Sequence, residues 1–192
     1  CYKSEDYITE DGESAKKFVA MLIRNGHEAM IEHSFLSVKF TVDRGVSHEL
    51  VRHRIASFAQ ESTRYCNYAK DKFGAECAFI DLEPGIMLDN KMKKMSAEEI
   101  ALVLAEWKSA MEDAERHYMR LLELGATPQI ARAVLPNSTK TEITVSANYR
   151  EWRNFFKLRV PADVHPQMRE VTIPLLKELK GMIPVIFDDI EV

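Results

Sequence analysis

Between Ser96 and Gly125 runs a stretch with no proline and no internal glycine, rich in strong helix formers, and no other feature restricts the fold as much. Ser96 and Glu99 have capping-box spacing at its start, and Gly125 offers a stop at its end. The pattern predicts one long helix over 97–124. Around it the periodicities are mixed. Ala15, Phe18, Val19, Leu22 and Ile23 predict a helix over 13–25 closed by Gly26. Phe35, Val38, Phe40 and Val42 predict a strand over 34–42. A helix is expected over 46–59, with Leu50 and Val51 buried. A short strand is expected over 78–80, then a turn at Glu83-Pro84-Gly85. A short helix should open at Pro128 and stop before Pro136. The β-branched run 139–145 predicts a strand, and 149–158 and 166–181 predict helices. With no strict βαβ alternation, the fold class is α+β.

The 192 residues suit a single domain spanning 1–192. A net charge of −4 argues against a dedicated nucleic-acid or polybasic membrane-binding chain. No run approaches the roughly 20 apolar residues of a membrane span, and the polar start Cys1-Tyr2-Lys3-Ser4 lacks a signal core. The chain therefore reads as cytoplasmic. Cys1, Cys66 and Cys77 form no CxxC, and His27, His33, His48 and His53 lack compact zinc spacing, so no metal site is expected.

The densest chemistry is Arg52-His53-Arg54 followed seven residues later by Ser62-Thr63-Arg64. Guanidinium groups bind phosphate bidentately, and the hydroxyls can donate to the remaining oxygens. On the expected helix Arg52 and Arg54 would point about 200° apart and serve different ligands. A solvated basic face pairing with Glu49 and Glu61 is the plainer alternative.

This arrangement, Arg-His-Arg-x7-Ser-x-Arg, resembles the signature of the flavin-dependent thymidylate synthases, with Ile55-Ala56-Ser57 and Tyr65 in the same style. Upstream, Gly26-His27-Glu28-Ala29-Met30-Ile31-Glu32-His33 resembles the family's segment ending in Glu-His before a strand. Downstream, Ala131-Arg132-Ala133-Val134-Leu135-Pro136 and Asn148-Tyr149-Arg150, with Asn154, Leu158 and Arg159, are similar too. The resemblance covers about residues 14–180.

It implies the thymidylate synthase-complementing type of fold, an antiparallel sheet with flanking helices, preceded by a strand that would end near Cys1-Tyr2 and is missing here. It implies reductive methylation of dUMP with methylene-tetrahydrofolate and NADPH-reduced FAD. Glu49, Arg52, Glu61, Ser62, Thr63, Arg64 and Arg132 would lie at dUMP. Arg159 would be the catalytic cation beside the pyrimidine, favouring ionisation at N3. Ala29, Arg52, His53, Arg54, Ile55, Gln60, Asn148, Arg150 and Asn154 would meet FAD, with His27 and Glu32 as neighbours. Cys66 would be structural, because the flavin carries the chemistry. Active sites would form between subunits of a homotetramer, which fits a chain with no GxGxxG or GxxxxGK[ST] loop. Ala29, Glu49 and Gln60 depart from the frequent Ser or Thr, Gln and Glu. A carboxylate at Glu49 needs a donor or a proton beside it. A non-catalytic flavin- or nucleotide-binding protein of the same fold is the alternative.

Overall fold

The computed structural model describes residues 5–70 and 74–192. The element order is α1 (Glu13–Arg24), β1 (Phe35–Asp43), α2 (Arg44–Leu50), β2 (Ser57–Gln60), α3 (Glu83–Leu88) and α4 (Ala97–Glu123). Then come α5 (Pro128–Ala131), β3 (Lys140–Asn148), α6 (Tyr149–Arg159), α7 (Pro166–Met182) and α8 (Pro184–Phe187). A 3₁₀ turn, Glu28–His33, lies between α1 and β1. The Cys1-Tyr2 junction lies outside the described residues.

The sheet is antiparallel in the order β1-β3-β2, so β3 is the middle strand. Phe35 faces Asn148 at one end of the β1–β3 ladder, and Asp43 faces Lys140 at the other. Strict alternation along β3 puts Thr141, Ile143, Val145 and Ala147 on the buried face. Phe40 and Val42 of β1 join them, and α2 and α6 close over them with Val46, Leu50, Trp152, Phe155 and Phe156. Met168, Leu176 and Leu179 of α7 and Ile186 and Phe187 of α8 complete this core.

Each long strand hands its chain directly to a helix through a side-chain cap. Asp43 Oδ1 accepts from Val46 N at 2.6 Å, which starts α2. Asn148 Oδ1 accepts from Glu151 N at 2.9 Å, which starts α6. Trp152 Nε1 donates to Leu36 O at 3.0 Å and ties α6 back to β1. The long helix α4 has its full capping box at Ser96 and Glu99. It buries only Tyr118 completely, in a second cluster with Cys66, Tyr68, Cys77 and Ala131.

Three local expectations are corrected. The helix expected over 46–59 ends at Leu50, and 57–60 is strand β2 instead. The free edge of β3 takes a partner there, and Phe58 and Gln60 face the core side opposite Val145 and Ile143. Tertiary pairing has overridden the helical pattern. Arg52 and Arg54 are therefore in a turn, and the opposed helix faces do not exist. Glu83-Pro84-Gly85 is the first turn of α3, where proline is preorganised for a helix. Gly85 permits close packing on α7, since a Cβ there would meet Gln167 Cγ at 2.8 Å. The strand expected over 78–80 is reduced to one bridge, Phe79 to Thr139. Helix α8 was not anticipated.

Phe156 is fully buried and touches Trp152, Phe155 and Phe187. Phe156→Ala should lower unfolding free energy by about 3–5 kcal/mol, read from urea titration, with the transition remaining cooperative.

Candidate functional site

Helix α2 carries Arg44 and His48 one turn apart on one face. With Thr63, Gln129, Arg132, Asn137 and Thr139 they line a cleft of about 440 Å³. Arg132 Nη1 donates to Thr63 Oγ1 at 3.1 Å. Arg44 Nη2 donates to Glu61 O at 3.2 Å and braces the following turn. In that turn Ser62 O accepts from Tyr65 N and Cys66 N. A hydroxyl turn held between two guanidinium groups suits an anionic ligand.

A second cleft, of about 540 Å³, is lined by Glu28, Glu32, Ile55, Asn148, Arg150, Glu151, Asn154 and Lys157. Arg150, Asn154 and Lys157 recur at i, i+4 and i+7 of α6 and so share one face of it. Ile55 presents an apolar side chain that is 70% exposed. Arg150 pairs with Glu32, the acidic end of the 3₁₀ turn.

A polar line runs from the second cleft to α2. His53 is buried, and its Nδ1 lies 3.0 Å from Glu151 Oε1 on the wall of the second cleft. Its Nε2 accepts from Arg159 Nε at 3.0 Å. Arg159 Nη1 donates to Glu49 Oε2 at 2.9 Å, and Nη2 donates to Glu49 O at 3.3 Å. Glu49 Oε1 lies 3.0 Å from His165 Nδ1. The carboxylate that needed a donor at Glu49 has one in the Arg159 guanidinium, with the His165 ring beside it. Burial pushes the His53 imidazole below its ordinary value of 6.5, the Arg159 charge adds to that, and the Glu151 contact opposes both.

The structure gathers the expected residues unevenly. Thr63 and Arg132 share the first cleft, with Glu61 and Ser62 in the turn behind it. Ile55, Asn148, Arg150, Asn154 and Glu32 share the second. Ala29 is exposed on the 3₁₀ turn beside Glu28, and His27 is exposed just before it. Gln60 lines neither cleft; its Nε2 donates to Ser47 Oγ at 2.9 Å and Thr141 Oγ1 at 3.3 Å. It makes none of these bonds to Glu49, so the two departures do not offset each other by contact. Arg52, Arg54 and Arg64 are exposed, the last with its guanidinium 5.4 Å from the Tyr65 ring centre. Arg159 pairs with Glu49.

Sequence reasoning missed Arg44, His48, Glu151 and His165. Arg44 and His48 carry a signal, two nitrogen-rich side chains at i and i+4, that was hidden by starting the helix at 46. Glu151 and His165 carry none, because their partners are about 100 residues distant in the chain.

Cys66 is buried, and its thiol donates to Glu61 Oε1 at 3.4 Å. Burial and neighbouring Glu115 push the Cys77 thiol up to about 12, which keeps it protonated and unreactive at neutral pH. Among the described residues no group of His, Cys, Asp and Glu is arranged to hold a metal ion, and no helix is long and apolar enough to cross a membrane.

The fold and these clefts define a class: an α+β protein whose arginines and amides collect at two clefts served by one antiparallel sheet. The chain belongs to the family described as thymidylate synthase complementing protein, which it matches over residues 1–185. It is 34% identical to a flavin-dependent thymidylate synthase of Corynebacterium aurimucosum over 197 residues, spanning all of this chain and 76% of the relative. It is 29% identical to the enzyme of that name from Mycobacterium tuberculosis, with the same coverage. It is 30% identical to that of Mycobacterium sp. (strain JLS) over 201 residues, again covering 76% of the relative.

The depressed His53 value has a consequence for stability. Below about pH 6.5 the unfolded chain takes up a proton on this imidazole that the folded chain resists, so folding weakens as pH falls through that value. His53→Asn removes this term. The stability deficit of the variant should therefore be smaller at pH 5 than at pH 8 in urea titrations. An equal deficit at both pH values would show that His53 titrates normally.

Proposed function

We propose that the chain is a flavin-dependent thymidylate synthase, one domain over residues 1–192, acting in the cytoplasm. It converts dUMP, methylene-tetrahydrofolate, NADPH and a proton into dTMP, tetrahydrofolate and NADP⁺. What carries the reading is Arg159, a guanidinium fixed by His53 and Glu49 on a helix that also lines the second cleft, in a chain of this family.

The second cleft fits FAD by its donor set. Arg150, Lys157 and the amides of Asn148 and Asn154 stand with an exposed apolar Ile55, beside the carboxylates of Glu28, Glu32 and Glu151, so cationic and amide donors occur next to an apolar side chain. Ala29, Arg52, His53, Arg54 and Gln60 are carried over as further FAD positions. FAD, once reduced by NADPH, supplies the hydride. Everything else falls to the side chains. Arg132, Arg64 and the hydroxyls of Ser62 and Thr63 hold the dUMP phosphate, with Arg52, Glu49 and Glu61 around the nucleotide. Arg159 stabilises negative charge at the pyrimidine N3, which makes C5 the nucleophile toward the folate carbon. A cation that needs no reorganisation lowers such a barrier. Five N–H donors belong to a guanidinium, and three of those of Arg159 are used internally, so two remain for the substrate.

The functional unit is a homotetramer with sites at its interfaces. Two observations support this. Arg52, Arg54 and Arg64 project from a single chain and line neither cleft. Helix α4 keeps Ile100, Val103, Leu104, Trp107 and Met111 only half-buried along one side, as an interface helix does.

The test is dTMP formation with dUMP, methylene-tetrahydrofolate, NADPH and FAD. Arg159→Ala should lower turnover by about 10²–10³-fold while FAD still copurifies. Near-parental turnover would remove Arg159 from the role. Cys66→Ala should keep most of the activity. A folded, FAD-bound but inactive Cys66→Ala would contradict a flavin-carried mechanism.

A further inference from the structure

Helix α6 holds the His53 ring from three sides with residues spaced one turn apart. Glu151 meets Nδ1, Arg159 meets Nε2, and Phe155 packs edge-on with its centroid 5.0 Å away. Positions i, i+4 and i+8 form one stripe of a helix, so a single rigid element fixes the ring's plane and both its nitrogens.

The protons follow from the partners. Arg159 Nε can only donate, so His53 Nε2 must accept and carries no proton. The ring proton is then on Nδ1 and is donated to the Glu151 carboxylate. A neutral imidazole left to itself favours the opposite tautomer, with the proton on Nε2. That form would set two N–H groups against each other at Arg159. Burial makes the arrangement costly to leave unpaired: the side chains of His53 and Glu151 are only 7% and 9% exposed. Asn154 Nδ2, at 3.3 and 3.4 Å, is the other donor to this carboxylate.

We propose that Glu151 is a positioning residue, which selects the Nδ1–H tautomer of His53 and thereby makes Nε2 the acceptor that aims Arg159 at its substrate. This rests on the reading of Arg159 given above. It adds a residue that the sequence did not single out and a route by which the wall of one cleft sets the cation at the other ligand. Glu151 touches neither reacting atom. Its effect passes through one imidazole, as the outer partner of a metal-bound histidine fixes that ring's tautomer.

The experiment compares Glu151→Ala and Glu151→Gln with the parent, with histidine and arginine side chains labelled with ¹⁵N. The first readout needs no turnover. In the parent, His53 should show a protonated Nδ1 and a bare Nε2, and the Arg159 Nε–H signal should be protected from exchange. His53→Asn and Arg159→Ala assign the two signals. In Glu151→Ala the proton should move to Nε2 and the Arg159 signal should lose protection. In Glu151→Gln the amide oxygen still accepts from Nδ1–H, so both signatures should persist.

The second readout is turnover. Glu151→Ala should lower kcat by about 10- to 100-fold at saturating FAD, and Glu151→Gln should restore most of it. An Ala variant that keeps the parental tautomer, or that switches it with kcat unchanged, overturns the proposal. So does a Gln variant as impaired as Ala. A parent that makes no dTMP would refute the function proposed above. The tautomer and exchange signals would still decide whether Glu151 positions Arg159.

Discussion

The middle strand is the constraint on which the rest depends. β3 is hydrogen-bonded on both edges and alternates buried with half-buried residues over its whole length. A shift of one residue would move Thr141, Ile143, Val145 and Ala147 out of the core together. That register fixes where Asn148 falls, and Asn148 caps α6 with no intervening loop. The first residue of α6 follows the last of β3, so Arg150, Glu151, Asn154 and Arg159 inherit their positions from the sheet. The phase of the helix is set before any of its side chains finds a partner.

Helix α6 then divides its work among neighbouring stripes. Trp152 and Phe156 enter the core. Arg153, almost fully buried, clamps Asp189 with both Nη atoms and reaches Glu28 through Nε, closing the C-terminal segment over the helix. Arg150, Asn154 and Lys157 face the second cleft, and Glu151, Phe155 and Arg159 hold His53. Buried charges seldom add stability over apolar residues of the same size, because desolvation offsets their attraction. Two buried or half-buried ionic sets on one helix of 11 residues therefore point to something other than stability. Arg153 explains itself by fixing the chain's end. The Glu151–His53–Arg159 line joins α6 to the segment after α2, and it also fixes which ring nitrogen faces the guanidinium, which is why a positioning role suits it.

Much of this was legible in the sequence, and the failures have physical causes. The capping box at Ser96, the cap at Asn148 and the β-branched run after Thr139 are local signals, and the elements they mark stand where they were expected. The segment after Leu50 is different. Its composition allows a helix, and only the unpaired edge of β3, more than 80 residues later, makes Ser57–Gln60 a strand. Pro84 illustrates the reverse error, since the same residue opens turns and helices and only α7 packing on Gly85 distinguishes them. Resemblance assigned Ile55, Asn148, Arg150 and Asn154 to one ligand, and all four line one cleft. It could not supply Glu151 and His165, whose meaning exists only once distant segments meet. Nor does one chain bring Arg52, Arg54 and Arg64 to either of the two clefts.

Glu49 shows how such a contact changes the chemistry that a motif suggests. If Arg159 favours an anionic pyrimidine as proposed, a carboxylate beside it looks like an obstacle, because it competes for the same charge. Yet its two oxygens are divided: one faces Arg159 and the other faces His165. His165 lies outside the motif, and its Nδ1 is 3.0 Å from the carboxylate oxygen that Arg159 leaves open. Glu49 also accepts Arg159 Nη2 through its backbone carbonyl, a contact that its side-chain identity does not alter. The direction of the guanidinium is thus set by His53 together with both the carboxylate and the backbone carbonyl of Glu49.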